Sequence, residues 1–198
     1  MNSNAVRDDL FYTYEDYAKL DADQRYEVIN GAIYLMTSPN RKHQRISGNL
    51  FRKIGNYLEG KKCEVYNAPF DVILPKKGET KKTASTIIQP DIFVVCDENK
   101  LDDNSCVGAP DLIIEILSPS SVKLDKIIKR SLYELHGVKE YWLVDPVHQI
   151  IDRFYYDEVL KEYKKPESFS RDDVITPMIF PDLPINLAEI FPETIKEN

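Results

Sequence analysis

The sequence has no long apolar run. Across its 198 residues, no stretch approaches the roughly 20 consecutive apolar residues that a membrane-spanning helix needs. The first 16 residues are acidic and lack the apolar segment of a signal peptide. We therefore expect a cytoplasmic protein with no membrane partner.

Cysteine is scarce as well. The three cysteines, Cys63, Cys96 and Cys106, form an odd number, and their spacing is not that of a zinc site. Cys63 and Cys96 also lie within apolar strand patterns. We expect all three to be reduced thiols, as is usual for a cytosolic protein.

The sequence contains no internal repeat, no heptad pattern and no low-complexity tract. Hydrophobic residues make up 42% of the chain and charged residues 30%, which is ordinary for a globular protein. A chain of this length can bury a sizeable core as one unit. The expectation is a single domain, residues 1–198, of mixed α/β class.

An overall positive charge is also missing, since the formal net charge is −7. The charge is uneven, however, because residues 41–62, 76–82 and 123–130 are each basic. If these segments converge in space, they form a local positive groove suited to nucleic acid. If they do not, they are scattered, solvated lysines and arginines. Both interpretations are open at this point.

Residues 108–145 organise the rest of the chain. The apolar run 112–117, broken only by Glu115, predicts a central strand covered on both faces. A helix should follow, and residues 138–144 predict a second strand. A strand, a crossover helix and a strand favour a right-handed parallel βαβ unit. The apolar face of the helix is expected to comprise Leu124, Ile127, Ile128, Leu132 and Leu135, and a neighbouring face Asp125, Lys129 and Tyr133.

Two further elements precede this unit. Asn30-Gly31 between two β-rich arms predicts a hairpin with a two-residue type I′ turn, and Glu27 lies in the first arm. A helix should begin after Ser38-Pro39-Asn40 and run to about Leu58, with His43 on its apolar line. Glu27 can be an exposed strand carboxylate or a site residue, and His43 can be a packed core histidine or a site residue.

The remaining segments predict mostly strands. Residues 87–96 read as one strand with Pro90-Asp91 near its start, and residues 97–107 as an acidic loop. Other strands are expected at residues 63–66, 70–74, 149–156 and 160–165, and a last short helix at 187–191.

Asp91 and Glu115 are the residues that most clearly suggest chemistry. Each is an acidic residue in an otherwise apolar strand, and 24 residues of chain allow the two strands to lie side by side. Two such carboxylates can hold Mg²⁺, which polarises a phosphodiester, while Lys129 orients water or stabilises charge. The structural alternative is an Asp cap and a buried Glu–Lys ion pair.

Several segments together resemble a known family. Pro90-Asp91 and Glu115 are similar to the PD-(D/E)xK nuclease signature, although Leu117 stands where that signature has lysine. More closely, residues 12–191 resemble the Uma-type family of bacterial restriction endonucleases. The segments that carry the resemblance, in chain order, are YEVINGAIYLM, SPNRKHQRIS, QPDIFVV, GAPDLIIEILSPSS, Asp125 with Lys129 and Tyr133, and GVKEYWLVDP.

The resemblance implies a restriction-endonuclease-like core, with a central mixed β-sheet flanked by helices. This core would span about residues 12–165, followed by a C-terminal extension over about 166–198. The implied cofactor is Mg²⁺, with Mn²⁺ as a substitute, and the implied substrate is DNA; a homodimer is an expectation at the level of the family.

The same resemblance assigns roles to individual residues. Asp91 and Glu115 become the metal carboxylates, with the Ile116 carbonyl as a further ligand. Lys129 becomes the catalytic lysine displaced to the helix, with Lys126 as second choice. Glu27 becomes a metal or water ligand, and His43 a phosphate or acid/base contact.

Three functions are compatible with these features. The first is a metal-dependent endonuclease acting on DNA. The second is a catalytically inactive nucleic-acid-binding or protein-interaction module on a nuclease fold, since fold does not fix function. The third is a hydrolase acting on a small phosphorylated molecule, which would need a closed pocket.

Overall fold

The fold was analysed in a computed structural model that describes residues 10–21 and 23–191. Residues 1–9, on which part of the signal-peptide expectation rests, lie outside the described residues. So do residues 192–198 at the end of the expected C-terminal extension.

The described chain contains short helices and many strands. Its helices are α1 (Tyr14–Tyr17), α2 (Arg41–Leu58), a 3₁₀ turn (Glu98–Lys100), a π-helix (Leu124–Lys129) that continues directly into α3 (Arg130–Leu135), and α4 (Leu187–Ile190). Its strands are β1 (Tyr26–Ile29), β2 (Ala32–Leu35), β3 (Glu64–Asn67), β4 (Asp71–Ile73), β5 (Ile87–Ile88), β6 (Ile92–Val95), β7 (Leu101–Asp102), β8 (Ser105–Val107), β9 (Leu112–Ile116), β10 (Glu140–Asp145), β11 (Ile150–Asp157), β12 (Glu162–Tyr163), β13 (Glu167–Ser170), β14 (Val174–Ile175) and β15 (Ile185–Asn186).

The central sheet has the order β12-β11-β10-β9-β6-β3, and β13 also pairs with β11. Strand β9 lies in its middle, antiparallel to β6 and parallel to β10. The parallel β9–β10 pair, joined by the π-helix and α3, confirms the predicted βαβ connection. The sheet is therefore mixed and flanked by helices, as the predicted fold class requires.

Side chains alternate along β9 between two separate apolar clusters. Leu112, Ile114 and Ile116 face α2 and the C-terminal segment, in a cluster that also contains Ile46, Leu50 and Phe191. Ile113 faces the opposite cluster, which holds Tyr133 of α3 and Ile88 of the other large sheet. By the same alternation, Glu115 lies on the side of Ile113. Both faces of β9 are thus covered, as predicted.

The second large sheet has the order β2-β1-β5-β4-β8-β7. The predicted hairpin forms its edge, with β1 and β2 antiparallel. Asn30 and Gly31 both have positive φ angles, 53° and 82°, as a type I′ turn requires. Glu27 pairs with Tyr34 across the hairpin and is fully buried. It is therefore not an exposed strand carboxylate.

The single strand expected over residues 87–96 is wrong. The chain forms β5 in one sheet and β6 in the other, and Gln89, Pro90 and Asp91 lie between them. Because proline has no N–H to donate to a strand ladder, pairing stops there and the chain crosses between sheets. Asp91 consequently lies at the junction of the two sheets.

Two other expectations also need correction. Residues 97–107 are not simply a loop, because they contain the 3₁₀ turn, β7 and β8. Cys63 and Cys96 are not reduced thiols but form a disulfide, whereas Cys106 is free and buried. The antiparallel pairing of Glu64 with Val95 places the two cysteines directly opposite each other.

The crossover helix buries only part of the expected apolar face. Leu132 is buried, and Leu124 and Ile128 pack partly buried against the core, whereas Ile127 and Leu135 are exposed. The neighbouring face of Asp125, Lys129 and Tyr133 is buried as well. The π-helical turns have i→i+5 hydrogen bonds, so the register of side chains differs from that of an α-helix. The polar face of this helix therefore points into the protein.

The described C-terminal residues pack against the central sheet. Leu187 and Ile190 of α4 share a cluster with Ile54 of α2, so residues of the expected extension contribute to the same core. Within the described ranges, no helix combines the length and the apolar character needed to cross a membrane.

Alanine substitution at two glycines should change stability in opposite directions. At Gly31 the positive φ angle is unfavourable for alanine, and an added Cβ would lie 2.3 Å from Cδ2 of Phe11. At Gly48, inside α2, the same Cβ meets no atom within 4 Å. We expect Gly31→Ala to lower the free energy of unfolding by about 1 kcal/mol or more, and Gly48→Ala to raise it by about 0.5–1 kcal/mol. Urea denaturation measures both; equal effects of the two variants would contradict the hairpin geometry.

Candidate active site

A pocket of about 90 Å³ opens where the hairpin, the start of α2, the end of β9 and the π-helix meet. It is lined by Arg25, Glu27, Tyr34, Leu35, Met36, Thr37, Ser38, Pro39, His43, Asp91, Glu115, Ile116, Ser118, Ser120, Ser121, Leu124, Asp125 and Lys129. Every predicted site residue is in this set. The pocket therefore collects side chains that are up to about a hundred positions apart in the sequence.

Two hydrogen bonds between side chain and backbone link Asp91 to the end of β9. The Ile116 N–H donates to Asp91 Oδ2 over 2.8 Å, and the Asp91 N–H donates to Glu115 Oε2 over 3.3 Å. This pairing follows from the antiparallel register of β6 and β9, which places Ile92 opposite Ile114. Asp91 keeps part of its side chain exposed at the pocket, whereas Glu115 is buried.

Lys129 holds the buried side of the site together. Its Nζ lies 2.8 Å from Glu27 Oε1 and 3.0 Å from Glu115 Oε1. Asp125 Oδ1 lies 3.6 Å from the same ammonium. The Tyr133 hydroxyl donates a 2.6 Å hydrogen bond to Glu115 Oε1. Lys129 thus joins β1 of one large sheet to β9 of the other.

Burial and crowding change the acidities of these groups. Burial raises the pKa of Glu115 to about 8; Lys129 opposes the shift, and the charges of Asp125, Asp91 and Glu27 add to it. Burial likewise raises the pKa of Asp125 to about 6, again against the effect of Lys129. Burial disfavours the Lys129 cation, but its three carboxylate neighbours outweigh this and raise its pKa.

His43 is placed by the first turn of α2. Asn40 Oδ1 accepts the His43 backbone N–H over 2.9 Å as the helix N-cap. The His43 Nε2 atom lies 3.1 Å from Asp91 Oδ2. Burial favours the neutral ring, but Asp91 and the backbone of Ile116 outweigh it and raise the pKa of His43. The histidine therefore shares Asp91 with the Ile116 N–H.

The pocket contains an unusual share of unsatisfied polar atoms. In the described ranges, five buried side-chain nitrogen or oxygen atoms have no hydrogen-bond partner. Three of them belong to pocket residues: Arg25 Nη2, Glu27 Oε2 and His43 Nδ1. Such atoms normally find partners, so their concentration here marks a place where a ligand can supply them.

The oxygen-rich donor set fits a hard divalent cation. Four acidic residues line the pocket, Glu27, Asp91, Glu115 and Asp125, and the second oxygen of Glu27 is buried without a partner. Over residues 10–21 and 23–191, however, no three acidic, histidine or cysteine side chains are already arranged to hold one ion together. Lys129 Nζ lies between Glu27 and Glu115, where it satisfies part of their charge.

Lys126, the second choice for the displaced lysine, is exposed and does not line the pocket. Sequence reasoning did not select Arg25, Ser118 and Ser120 as site residues. A signal for Arg25 was present, because it lies two positions before Glu27 and strand alternation places both on one face.

Two of the three basic segments flank the pocket. Arg41, Lys42 and Arg45 are exposed in the first turns of α2, next to pocket residue His43. Lys123 and Lys126 are exposed on either side of pocket residues Leu124 and Asp125. None of residues 76–82 lines the pocket. Two of the three basic segments therefore carry exposed cations next in sequence to residues of an acidic pocket.

Comparisons with known proteins identify relatives of this chain. Two uncharacterized proteins of Synechocystis sp. are similar to this chain: one is 27% identical over 147 residues, covering 73% of this chain and 74% of its own length. The other is 28% identical over 127 residues, covering 63% of this chain and 68% of its own length.

A crystal structure from Anabaena variabilis, described as a putative nuclease belonging to DUF820, has the same fold. Its TM-score is 0.72 at 20% sequence identity, and the match covers 91% of this chain and 97% of that one. The sequence model of the Uma2 family, described as “Putative restriction endonuclease”, matches residues 12–188. Because this match spans nearly the whole chain, the protein belongs to the Uma2 family.

Proposed function

We propose that this protein is a Mg²⁺-dependent endonuclease that hydrolyses phosphodiester bonds of DNA. The observation that carries the proposal is the convergence of Asp91, Glu115 and Lys129 from three separate elements into one pocket. Membership of a family described as restriction endonucleases supports the same reaction class. A nuclease-like fold alone would not support this reaction class, because one fold can host many functions.

Asp91, Glu115 and the Ile116 carbonyl would hold the cation. A divalent cation there supplies Lewis-acid polarisation of the phosphodiester and lowers the pKa of an attacking water. The negative charge of the pocket supports its presence, since four acidic residues face Lys129, Arg25 and His43. Burial is the main cause of the raised pKa values of Glu115 and Asp125, and the charges of the neighbouring carboxylates add to it.

Lys129 and His43 have separate tasks in this proposal. Lys129 stays protonated, fixes Glu115 from the buried side and offsets charge that develops on the phosphate. His43 lies on the open side of Asp91, where Nε2 can carry a proton to the leaving oxygen. Glu27 acts mainly on Lys129, through its 2.8 Å contact.

The charge distribution supports a nucleic-acid substrate. On α2 and beside pocket residues of the π-helix, exposed cations lie next in sequence to pocket residues, where they would contact phosphates of a bound strand. Such contacts give affinity that falls with salt and carries little sequence information.

Cleavage should depend on both carboxylates. Asp91→Asn and Glu115→Gln keep the size of each side chain but remove the carboxylate that would hold the cation, so we expect nicking of supercoiled plasmid in Mg²⁺ or Mn²⁺ to fall by at least about 100-fold. Glu162→Gln, an exposed position on β12, is the matched control and should cut normally. Wild-type rates in either site variant would exclude this active site. If the unmodified protein cuts no plasmid, calorimetry with Mn²⁺ separates a site that binds metal from an inactive binding module.

The buried carboxylates should also make stability depend on pH. Because the pKa of Glu115 is raised from 4.5 to about 8, the folded state holds a proton that the unfolded state has lost between these values. The free energy of unfolding therefore decreases as the pH rises between these two values, by up to about 1.4 kcal/mol per pH unit. Glu115→Gln should remove this pH dependence. Urea denaturation at pH 5.5, 6.5 and 7.5 tests this, and a pH-independent difference between the two proteins would contradict it.

DNA affinity should depend on the exposed cations next in sequence to pocket residues. We expect the double variant Lys42→Glu and Lys126→Glu to bind DNA more weakly and to show a shallower dependence of log K on log salt, by about 1 for each lost phosphate contact. The matched control, Lys161→Glu with Lys165→Glu, reverses two exposed charges just outside the ends of β12. Fluorescence anisotropy at several salt concentrations measures both. Equal losses of DNA affinity in the two double variants would indicate a general effect of net charge.

A further inference from the structure

Arg25 has a free hydrogen-bonding edge at the wall of the pocket. Its Nε donates to Gln89 Oε1 over 2.9 Å, whereas its Nη2 is buried and has no partner among residues 10–21 and 23–191. The guanidinium group is a planar fork of donors that matches the oxygens of a phosphate or carboxylate. A buried donor left without a partner is costly, so its retention here needs an explanation.

The support beneath Arg25 is rigid. Gln89 accepts from Arg25 with its side-chain oxygen, and its side-chain nitrogen donates to Asp71 Oδ1 over 2.9 Å and to the Tyr17 hydroxyl over 3.1 Å. The Gln89 backbone N–H donates to Glu27 Oε1 over 2.9 Å. Gln89 is therefore fixed at both its backbone and its side chain. An arginine held in this way loses little further freedom when it binds an anion.

Hydroxyl groups line the same pocket as Arg25. Met36 donates its backbone N–H to the Arg25 carbonyl over 2.9 Å, and Thr37 is the next residue along the chain. The Thr37 hydroxyl lies 3.1 Å from that of Ser120, which lies 3.1 Å from that of Ser118. All three residues line the pocket. Arginine and hydroxyl donors together are a common set of contacts to the phosphates of nucleic acids.

The neighbouring carboxylates do not occupy this edge of Arg25. Glu27 contacts Lys129 and Gln89, and Asp91 contacts His43 and the Ile116 N–H. The donor thus remains available for an anion from outside the protein. A cation held by Asp91 and Glu115 would reduce the repulsion between that anion and the acidic residues.

We propose that Arg25, with the hydroxyls of Thr37, Ser118 and Ser120, forms a subsite for a phosphate group of the nucleic-acid backbone. The subsite rests on the proposed nuclease function and extends it, because it binds a phosphate beside the Asp91–Glu115 pair. It fixes the strand in the pocket without reading its sequence.

The test compares three variants of the full chain. Arg25→Gln removes the charge and the fork, Arg25→Lys keeps the charge alone, and Arg52→Gln removes an exposed arginine on α2 that does not line the pocket. Binding of labelled single-stranded and duplex oligonucleotides is measured by anisotropy with Ca²⁺ in place of Mg²⁺. We expect Arg25→Gln to lose about 10-fold or more in affinity, with a salt slope lower by about 1. The affinity of Arg25→Lys should lie between those of the wild type and Arg25→Gln, and the affinity of Arg52→Gln should differ from that of the wild type by less than about 2-fold.

A second ligand separates this inference from the proposed function. Inorganic phosphate in Mg²⁺ is titrated calorimetrically into the same proteins, whose folding is checked by circular dichroism. Arg25-dependent phosphate binding without DNA binding would support the subsite and contradict the nuclease. Equal behaviour of Arg25→Gln and Arg52→Gln toward both ligands would overturn the subsite, as would a wild-type protein that binds neither. If Arg25→Gln does not fold, an unchanged affinity of Arg25→Lys for both ligands would overturn it.

Discussion

The burial of one ammonium group among carboxylates is the constraint on which the site depends. Lys129 contacts Glu27 of one large sheet and Glu115 of the other. A buried ion pair of this kind is weak evidence for stability, but the loss of one partner leaves an uncompensated charge, which costs about 3–5 kcal/mol. The two sheets and the crossover helix must therefore adopt one relative position for all three charges to be satisfied. This requirement fixes the geometry of the pocket more tightly than apolar packing alone.

Two irregular elements of the backbone create that arrangement. Pro90 ends β5 and passes the chain to β6 in the other sheet, which leaves Asp91 beside the end of β9. The π-helix turns Asp125 and Lys129 inward while Ile127 remains exposed. Irregular backbone of this kind is frequent at functional sites.

Much of the fold could be predicted from the sequence, because local signals and tertiary packing agree there. Asn30-Gly31 specifies its turn, and the apolar run around Glu115 specifies a strand covered on both faces. The division of residues 87–96 between two sheets could not be predicted, since it depends on which partners each half finds. The Cys63–Cys96 disulfide depends likewise on the pairing of β3 with β6.

The convergence of the candidate site residues in one pocket could be predicted for a different reason. Asp91 and Glu115 are acidic residues in apolar strand patterns, and a family resemblance assigned roles to them and to Lys129. Arg25 does not stand out in this way, because an arginine at the start of a hairpin strand is unremarkable until its burial and its partners are known.

The excess of polar groups distinguishes this pocket from a purely structural ion pair. Glu115, Lys129 and Tyr133 satisfy one another and would be sufficient to stabilise the junction of the sheets. Stability does not require Asp91 to remain partly exposed beside His43, nor Arg25 and Glu27 to keep buried atoms without partners. Each such atom costs free energy in the unliganded protein. In the proposed function, a ligand carrying both a cation and phosphate oxygens would recover that cost, because the unpaired groups include an acceptor at Glu27 and a donor at Arg25.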